Sequence, residues 1–321
     1  MSIVVTGGAG FIGSCVIRAL NDSAIDDIFV VDNICRTEKW KNLVNKKFID
    51  YIHKDVFLRK LPELGKITHI IHMGACASTT EADFDYLFAN NAGYSRSLWH
   101  FCAERGISFI YASSAATYGS GKTGFSDETD INLLKPLNGY GYSKHFFDLW
   151  ASRQQDKPRQ FAGLKFFNVY GPNEYSKGSM ASVIYHGFKQ IKSSGKLKLF
   201  KSYNETYSDG GQLRDFIYVK DVCEVIKFFI NNSDKSGLFN VGTGRAESFG
   251  ALGGAIFKAL GMPENIEYID MPGQLKKKYQ YFTEASLNKL RGAGYKKNFH
   301  SLEEGTDDYV RNYLAKDFLV Y

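Results

Sequence analysis

Short runs of buried-type residues alternate with longer helical stretches through the first half of the chain. Ile3 to Thr6, Ile28 to Asp32, Tyr51 to Asp55, His69 to Met73, Phe109 to Ser113 and Gly163 to Asn168 read as six strands. Helices are predicted over Phe11 to Leu20, Phe84 to Arg105 and Tyr142 to Arg153. Strands spaced by helices predict an α/β fold built on a parallel, doubly wound sheet covered on both faces.

The texture changes after Gly171-Pro172. Residues 173 to 213 hold polar turns and one helix, from about Met180 to Ile191. Arg214 to Val219 and Leu238 to Val241 then read as strands around a helix from Val222 to Ile230, and are expected to return to the first sheet and its edge. The expected division is therefore interleaved. Residues 1–169 plus 214–244 form the sheet domain, and 170–213 plus 245–321 form a smaller mixed α/β lobe. Lys201 to Gly211 is the best candidate for a flexible loop.

The first strand runs into Thr6-Gly-Gly-Ala-Gly-Phe-Ile-Gly13. Gly7, Gly10 and Gly13 fit G-x-x-G-x-x-G, and Gly8, Gly10 and Gly13 fit G-x-G-x-x-G. One glycine allows the turn, another lets a pyrophosphate approach the backbone, and Gly13 lets helix and strand pack closely. Phe11 and Ile12 fall in the first helical turn, where free N–H groups attract phosphate oxygens. An acid, Asp32, closes the second strand. This context predicts a dinucleotide site on a Rossmann-type sheet. Asp32 suits an adenosine ribose and favours NAD, whereas Asn33, Lys39 and Lys54 lie where a 2′-phosphate could be held. Asp55 suits either the adenine amine or a helix cap. The turn Met73-Gly74-Ala75-Cys76-Ala77 should line the cofactor channel, and Asn90 suits either a hold on its backbone or an ordinary polar helix position.

Strand five ends in Ser113-Ser-Ala-Ala-Thr-Tyr-Gly119, and Ser114 is the hydroxyl chosen to bond the reacting oxygen. Tyr140 and Lys144 are four apart and share a helix face. An ammonium there stabilises the phenolate, so Tyr140 becomes a usable proton carrier. Lys144 also suits a nicotinamide ribose. Glycine loop, serine and Tyr/Lys pair together predict movement of a hydride and a proton at an alcohol carbon.

Composition narrows this further. Of 321 residues, 44% are apolar and 23% charged, the balance of a globular chain with a large core. The net charge of +6 is spread along the chain, densest at Lys39 to Lys47 and Lys276 to Lys278, and suits an anionic small molecule rather than nucleic acid. The five cysteines never form CxxC and read as reduced thiols of a cytoplasmic protein. No signal peptide or membrane span is expected. The seven histidines form neither HxH nor HExxH, so no metal is expected, and His69 and His72 read as core histidines. Gly-x-Ser-x-Gly is absent, against a serine hydrolase.

These residues resemble the extended short-chain dehydrogenase/reductase superfamily over nearly the whole chain. Within it they are most similar to the 6-epimerases of ADP-heptose. Ser113 to Gly119, Pro136 to Lys144, Phe167 to Pro172, Lys177-Gly-Ser-Met-Ala-Ser182 and Gly242 to Phe249 carry the likeness. The resemblance implies inversion of C6 of the heptose through a transient ketone with a bound NADP, Tyr140 serving one side and Lys177 the other. It implies that Asn168, Ser179 and His186 touch the sugar nucleotide, and that Phe200, Lys201, Ser202 and Tyr203 line its adenine and diphosphate end. Arg214 would pair with the diphosphate, Tyr279 would close the pocket, and Val169 would approach the cofactor through its backbone. A homo-oligomer in envelope polysaccharide synthesis is also implied. The chain departs from the family at Ala77, where a serine is usual, and in a longer loop over 201–213. The alternative is another NAD(P)-dependent nucleotide-sugar 4-epimerase or reductase. A 4,6-dehydratase is disfavoured because Ala115-Ala116 follows Ser114 in place of an Asp-Glu pair.

Overall fold

The structure, a computed structural model, describes residues 2–276 and 279–321; Lys277 and Lys278 of the second basic run lie outside the described residues. Seven strands form the main sheet: β1 (Ser2–Thr6), β2 (Ile28–Asp32), β3 (Asp50–His53), β4 (Ile67–His72), β5 (Ser108–Ser114), β6 (Gln160–Phe166) and β10 (Gly237–Val241). Their order is β10-β6-β5-β4-β1-β2-β3, and every pairing is parallel. The doubly wound α/β expectation is borne out.

Successive residues turn to opposite faces, so Val4 and Ile70 join one core cluster while Val5 and Ile71 join the other. The first face carries α4 (Tyr94–Arg105) and α5 (Gly139–Arg153), where Trp99 meets Phe109 and Phe147 edge-on. The second carries α1 (Phe11–Asn21) and α7 (Val219–Asn231). Strand order reverses at β1/β4, and this switch point opens a crevice beyond the strands' carboxyl ends.

Two small sheets complete the fold. β7 (Asn168–Tyr170) and β11 (Ala246–Ser248) flank β9 (Leu213–Tyr218), while β8 (Leu197–Phe200) pairs with β12 (Ile266–Ile269). This corrects the expectation for Arg214 to Val219. The strand is real, but β9 belongs to the three-stranded sheet, and only β10 reaches the main sheet's edge. Buried alternation tells that a strand is covered; it does not name its neighbour. The sequence helix over 84–105 is α3 (Phe84–Phe88), a π turn (Ala89–Gly93) and α4 in succession. α6 (Val183–Ser194) starts later than expected because Ser182 caps it, accepting from the Tyr185 N–H at 3.2 Å. α8 (Phe249–Leu260) and α11 (Leu302–Asn312) close the smaller lobe.

Candidate active site

Two adjoining clefts of about 390 and 400 Å³ meet along Phe11, Ile12, Met73, Ala75, Ala77 and Lys177. The first lies over the switch point. Its wall includes Gly7, Gly10, Gly13, Asp32, Asn33, Lys39, Lys54, Gly74, Cys76 and Asn90. Of the residues chosen for a dinucleotide, only Lys144 and Val169 fall instead on the second wall, beside Ser114, Tyr140 and Asn168.

The glycine loop is shaped by contacts no side chain would allow. A Cβ on Gly13 would stand 2.2 Å from the Gly7 carbonyl oxygen. Gly7 has φ +65, and a Cβ there would stand 2.6 Å from the Gly74 nitrogen. α1 follows Gly10 with no side-chain cap, and Gly10, Phe11, Ile12 and Gly13 line the cleft. An uncapped helix start behind a loop of this shape fits a nicotinamide dinucleotide's pyrophosphate. Asp32 is already engaged. It accepts from the Ala9 N–H at 2.9 Å and the Asn33 N–H at 2.6 Å, and pairs with Lys39 Nζ at 2.7 Å. Lys54 Nζ pairs with Asp55 at 2.8 Å, and His53, not Asp55, caps the helix that follows β3.

The brace of the 73–77 turn is Asn91, not Asn90. The Cys76 N–H donates to Asn91 Oδ1 at 2.8 Å, and Asn91 Nδ2 donates to the Cys76 carbonyl at 3.0 Å and to Ser143 Oγ at 2.9 Å. Asn90 donates only to the Tyr86 carbonyl. The π turn inserts one residue per turn, which regular helical phasing could not anticipate. His72 is a core histidine as expected. It bonds Thr6 and Ser95, and burial, then Lys144, push it down to about 3.

Tyr140 lies in the first turn of α5, which Asn138 caps by accepting from the Gly141 N–H at 2.8 Å. Burial raises its pKa, a hydrogen bond with Ser114 lowers it, and Cys76 raises it. Lys144 was expected to act on Tyr140 directly. Instead its Nζ donates to the Ala112 carbonyl of β5 at 3.0 Å. Burial pushes Lys144 down to about 8, against the opposing pull of Asp148. The shared face is real, but the lysine reaches inward to the strand.

Lys177 stands in a tight turn between β7 and α6, over the Phe11 ring at 5.0 Å. Burial lowers its pKa and Glu174 raises it. Glu174 is itself fixed by the Ser182 N–H and hydroxyl, both at 2.6 Å.

The remaining expected substrate residues lie off the two walls. Ser179 is exposed, and His186 packs against Tyr185. Phe200 ends β8, and the loop behind it is tied by the Ser202 N–H donating to Asp209 at 2.7 Å. Lys201 pairs with Asp270 at 3.5 Å, and the Tyr203 hydroxyl donates to the same carboxylate at 2.6 Å. Arg214 is buried between Phe249 and Tyr279, 5.7 and 5.3 Å from their centroids, and donates to the Gln280 carbonyl. Phe249 in turn walls the second cleft.

Sequence reasoning missed Asp148 and Lys165, a buried ion pair at 2.8 Å behind Lys144. Two signals were available: Asp148 repeats the Tyr140/Lys144 spacing once more, and Lys165 interrupts an apolar strand. Among the described residues no cluster could hold a metal ion, and no helix is long and apolar enough to cross a membrane.

A switch-point crevice ending at a Ser, Tyr and Lys wall defines a dinucleotide-dependent enzyme acting at an alcohol carbon. Residues 3–242 match the NAD dependent epimerase/dehydratase family, and the chain belongs to it. It is 51% identical over 327 residues to an ADP-L-glycero-D-manno-heptose-6-epimerase of Fusobacterium nucleatum, covering 98% of each chain. A protein of the same name from Nitratidesulfovibrio vulgaris is 54% identical over 318 residues, covering 97% of this chain and 98% of that one. The solved Helicobacter pylori ADP-L-glycero-D-manno-heptose-6-epimerase superposes with a TM-score of 0.82 at 28% identity, covering 97% and 95% of the two chains.

Proposed function

We propose that the chain inverts C6 of ADP-D-glycero-D-manno-heptose to the L-glycero form. The observation that carries this reading is that Lys177 lines both clefts while Tyr140 and Ser114 line the second. Full-length identity to relatives of that name supports the substrate. A nicotinamide dinucleotide bound in the first cleft supplies the acceptor and donor of the carbon-bound hydrogen. Gly7, Gly10, Gly13 and the start of α1 would hold its pyrophosphate, and Asp32 with Lys39 would hold its adenosine ribose. NADP is the proposed form. Lys39 already neutralises Asp32, which removes the repulsion a 2′-phosphate would otherwise meet.

The chain's own groups handle the proton. Tyr140 exchanges it with the C6 oxygen, Ser114 fixes the direction of that hydroxyl, and Lys177 serves the other face after the carbonyl turns. Burial holds Lys177 below the ordinary lysine range, which makes it a readier proton donor. Asn168 faces the sugar and the Val169 backbone faces the cofactor. Ser179, His186, Phe200 to Tyr203, Arg214 and Tyr279 form the proposed path to the nucleotide.

The division into 1–169 plus 214–244 and 170–213 plus 245–321 belongs to the same proposal, with β9 bridging the two. So do a homo-oligomer and a cytoplasmic setting. The five free cysteines support a reducing compartment. Incubation with ADP-D-glycero-D-manno-heptose, followed by NMR, tests the reading. Appearance of the L-glycero epimer is expected. No conversion, with turnover of a UDP-hexose, would transfer the assignment to a 4-epimerase.

A further inference from the structure

Behind the Tyr140/Lys144 wall lies a buried polar network that reaches the second cleft at Ser113. Tyr111 and Ser113 point the same way from β5, and both donate to Asp148, at 3.1 and 2.6 Å. Lys165 of β6 donates to the same carboxylate and to Thr117, each at 2.8 Å. The carbonyl between the two β5 donors, that of Ala112, receives Lys144. Lys144, Asp148 and Lys165 are all buried, so their charges act through little screening water.

We propose that Asp148 is the positioning counter-charge that keeps Lys144 an ammonium behind Tyr140, and that Lys165 limits how much of that charge Lys144 feels. The proposal rests on the reading of Tyr140 and Lys144 as the proton-handling pair. Burial would otherwise discharge Lys144 at the pH where the pair must work. The groups facing Lys144 are few. On α5, Asp148 acts on it and Tyr140 lines the same cleft. From β4 comes His72, which is neutral at working pH, and from the following turn comes Cys76. Asp148 also acts on Tyr118 and His145, and Lys165 acts on His145. Asp148 is thus the one carboxylate among these groups. A fully bare carboxylate would over-stabilise the ammonium, and a fully paired one would leave it unsupported. Lys165 sets the balance because it shares Oδ2 with Ser113 and leaves Oδ1 to the neutral Tyr111 hydroxyl.

The test is the titration of Lys144 in full-length protein carrying ¹³Cε-lysine, followed by NMR, its signal assigned by loss in Lys144→Met. Opposite signs are expected. Asp148→Asn removes the anion and lowers the midpoint by about one pH unit or more. Lys165→Met bares the anion and raises it. A folded Asp148→Asn with an unmoved midpoint, or both variants moving the same way, would overturn the proposal. Should either single variant not fold, the charge-free double variant Asp148→Asn/Lys165→Met replaces it. A fall in midpoint is then expected, and an unmoved one refutes. A second readout is the alkaline limb of kcat, expected at lower pH in Asp148→Asn with KM little changed. Tyr140→Phe with full turnover would instead sink the functional reading and leave the lysine titration intact.

Discussion

Replacing Asn91 by alanine removes three hydrogen bonds from one buried side chain. Two run to the N–H and carbonyl of Cys76 and one to Ser143. Each is worth about 1 kcal/mol net, rising towards about 3 kcal/mol where the partner is left dry. The Cys76 backbone groups are half-buried, so the total falls between, at about 2–5 kcal/mol. For a chain of 321 residues that lowers Tm by roughly 3–7 °C. The loss is not only global. Asn91 ties the 73–77 turn to α5, and that turn walls both clefts, so the dinucleotide is expected to bind about tenfold more weakly or worse, as 1.4 kcal/mol corresponds to tenfold. The control is one residue away. Asn90 is exposed to the cleft and bonds only the Tyr86 carbonyl, so Asn90→Ala should stay within about 0.5 kcal/mol of the parent. Thermal unfolding of both variants, with NADPH affinity by fluorescence titration, reads the difference. Equal Tm for the two alanine variants would refute the assignment of the brace to Asn91.

Gly13→Ala should weaken NADPH binding by about 10- to 100-fold, since a clash with rigid backbone typically costs about 1–3 kcal/mol; unchanged affinity by calorimetry would contradict the cradle geometry. Tyr140→Phe should lower kcat about 10²- to 10⁴-fold with the dinucleotide still bound, measured by NMR of the two heptose epimers. Lys144→Met tests the linkage between charge and stability. Lys144 falls from 10.5 to about 8 on folding, so the folded chain binds the proton less well than the unfolded chain. The resulting destabilisation is complete below pH 8 and fades as pH rises towards 10.5. Lys144→Met should therefore be more stable than the parent at pH 7, by about 1–3 kcal/mol, with the gain shrinking at pH 10. Urea unfolding at both pH values checks it, and a gain that grows with pH would reverse the argument.

The main sheet was legible because its strands are short apolar runs buried on both faces, and because Gly7 to Gly13 and Asp32 mark where β1 and β2 end. Tyr140 and Lys144 were legible because helical spacing alone puts them together. Three features were not. The partner of β9 depends on a pairing between Asn168–Tyr170 and Phe216–Tyr218, which lie far apart in sequence and leave no local trace. The choice between Asn90 and Asn91 turns on a π turn that shifts helical phase by one residue. The direction of Lys144 was decided by a β5 carbonyl within reach, a competitor that side-chain spacing does not reveal.

In the proposed inversion the proton carriers stand on opposite sides of one carbon, and the fold draws them from different layers. Tyr140 rides on α5, clamped to β5 through Ser114 and through Lys144 on Ala112. Lys177 rides on the turn that leaves β7, where Gly178 adopts φ 55 and ψ −131 and Glu174 holds the turn to the cap of α6. No hydrogen bond needs to join the two residues. In the proposed function the substrate would lie between them, with its nucleotide end held at a distance. Binding energy from that remote end is then available to fix the sugar, leaving the reacting carbon free to present either face.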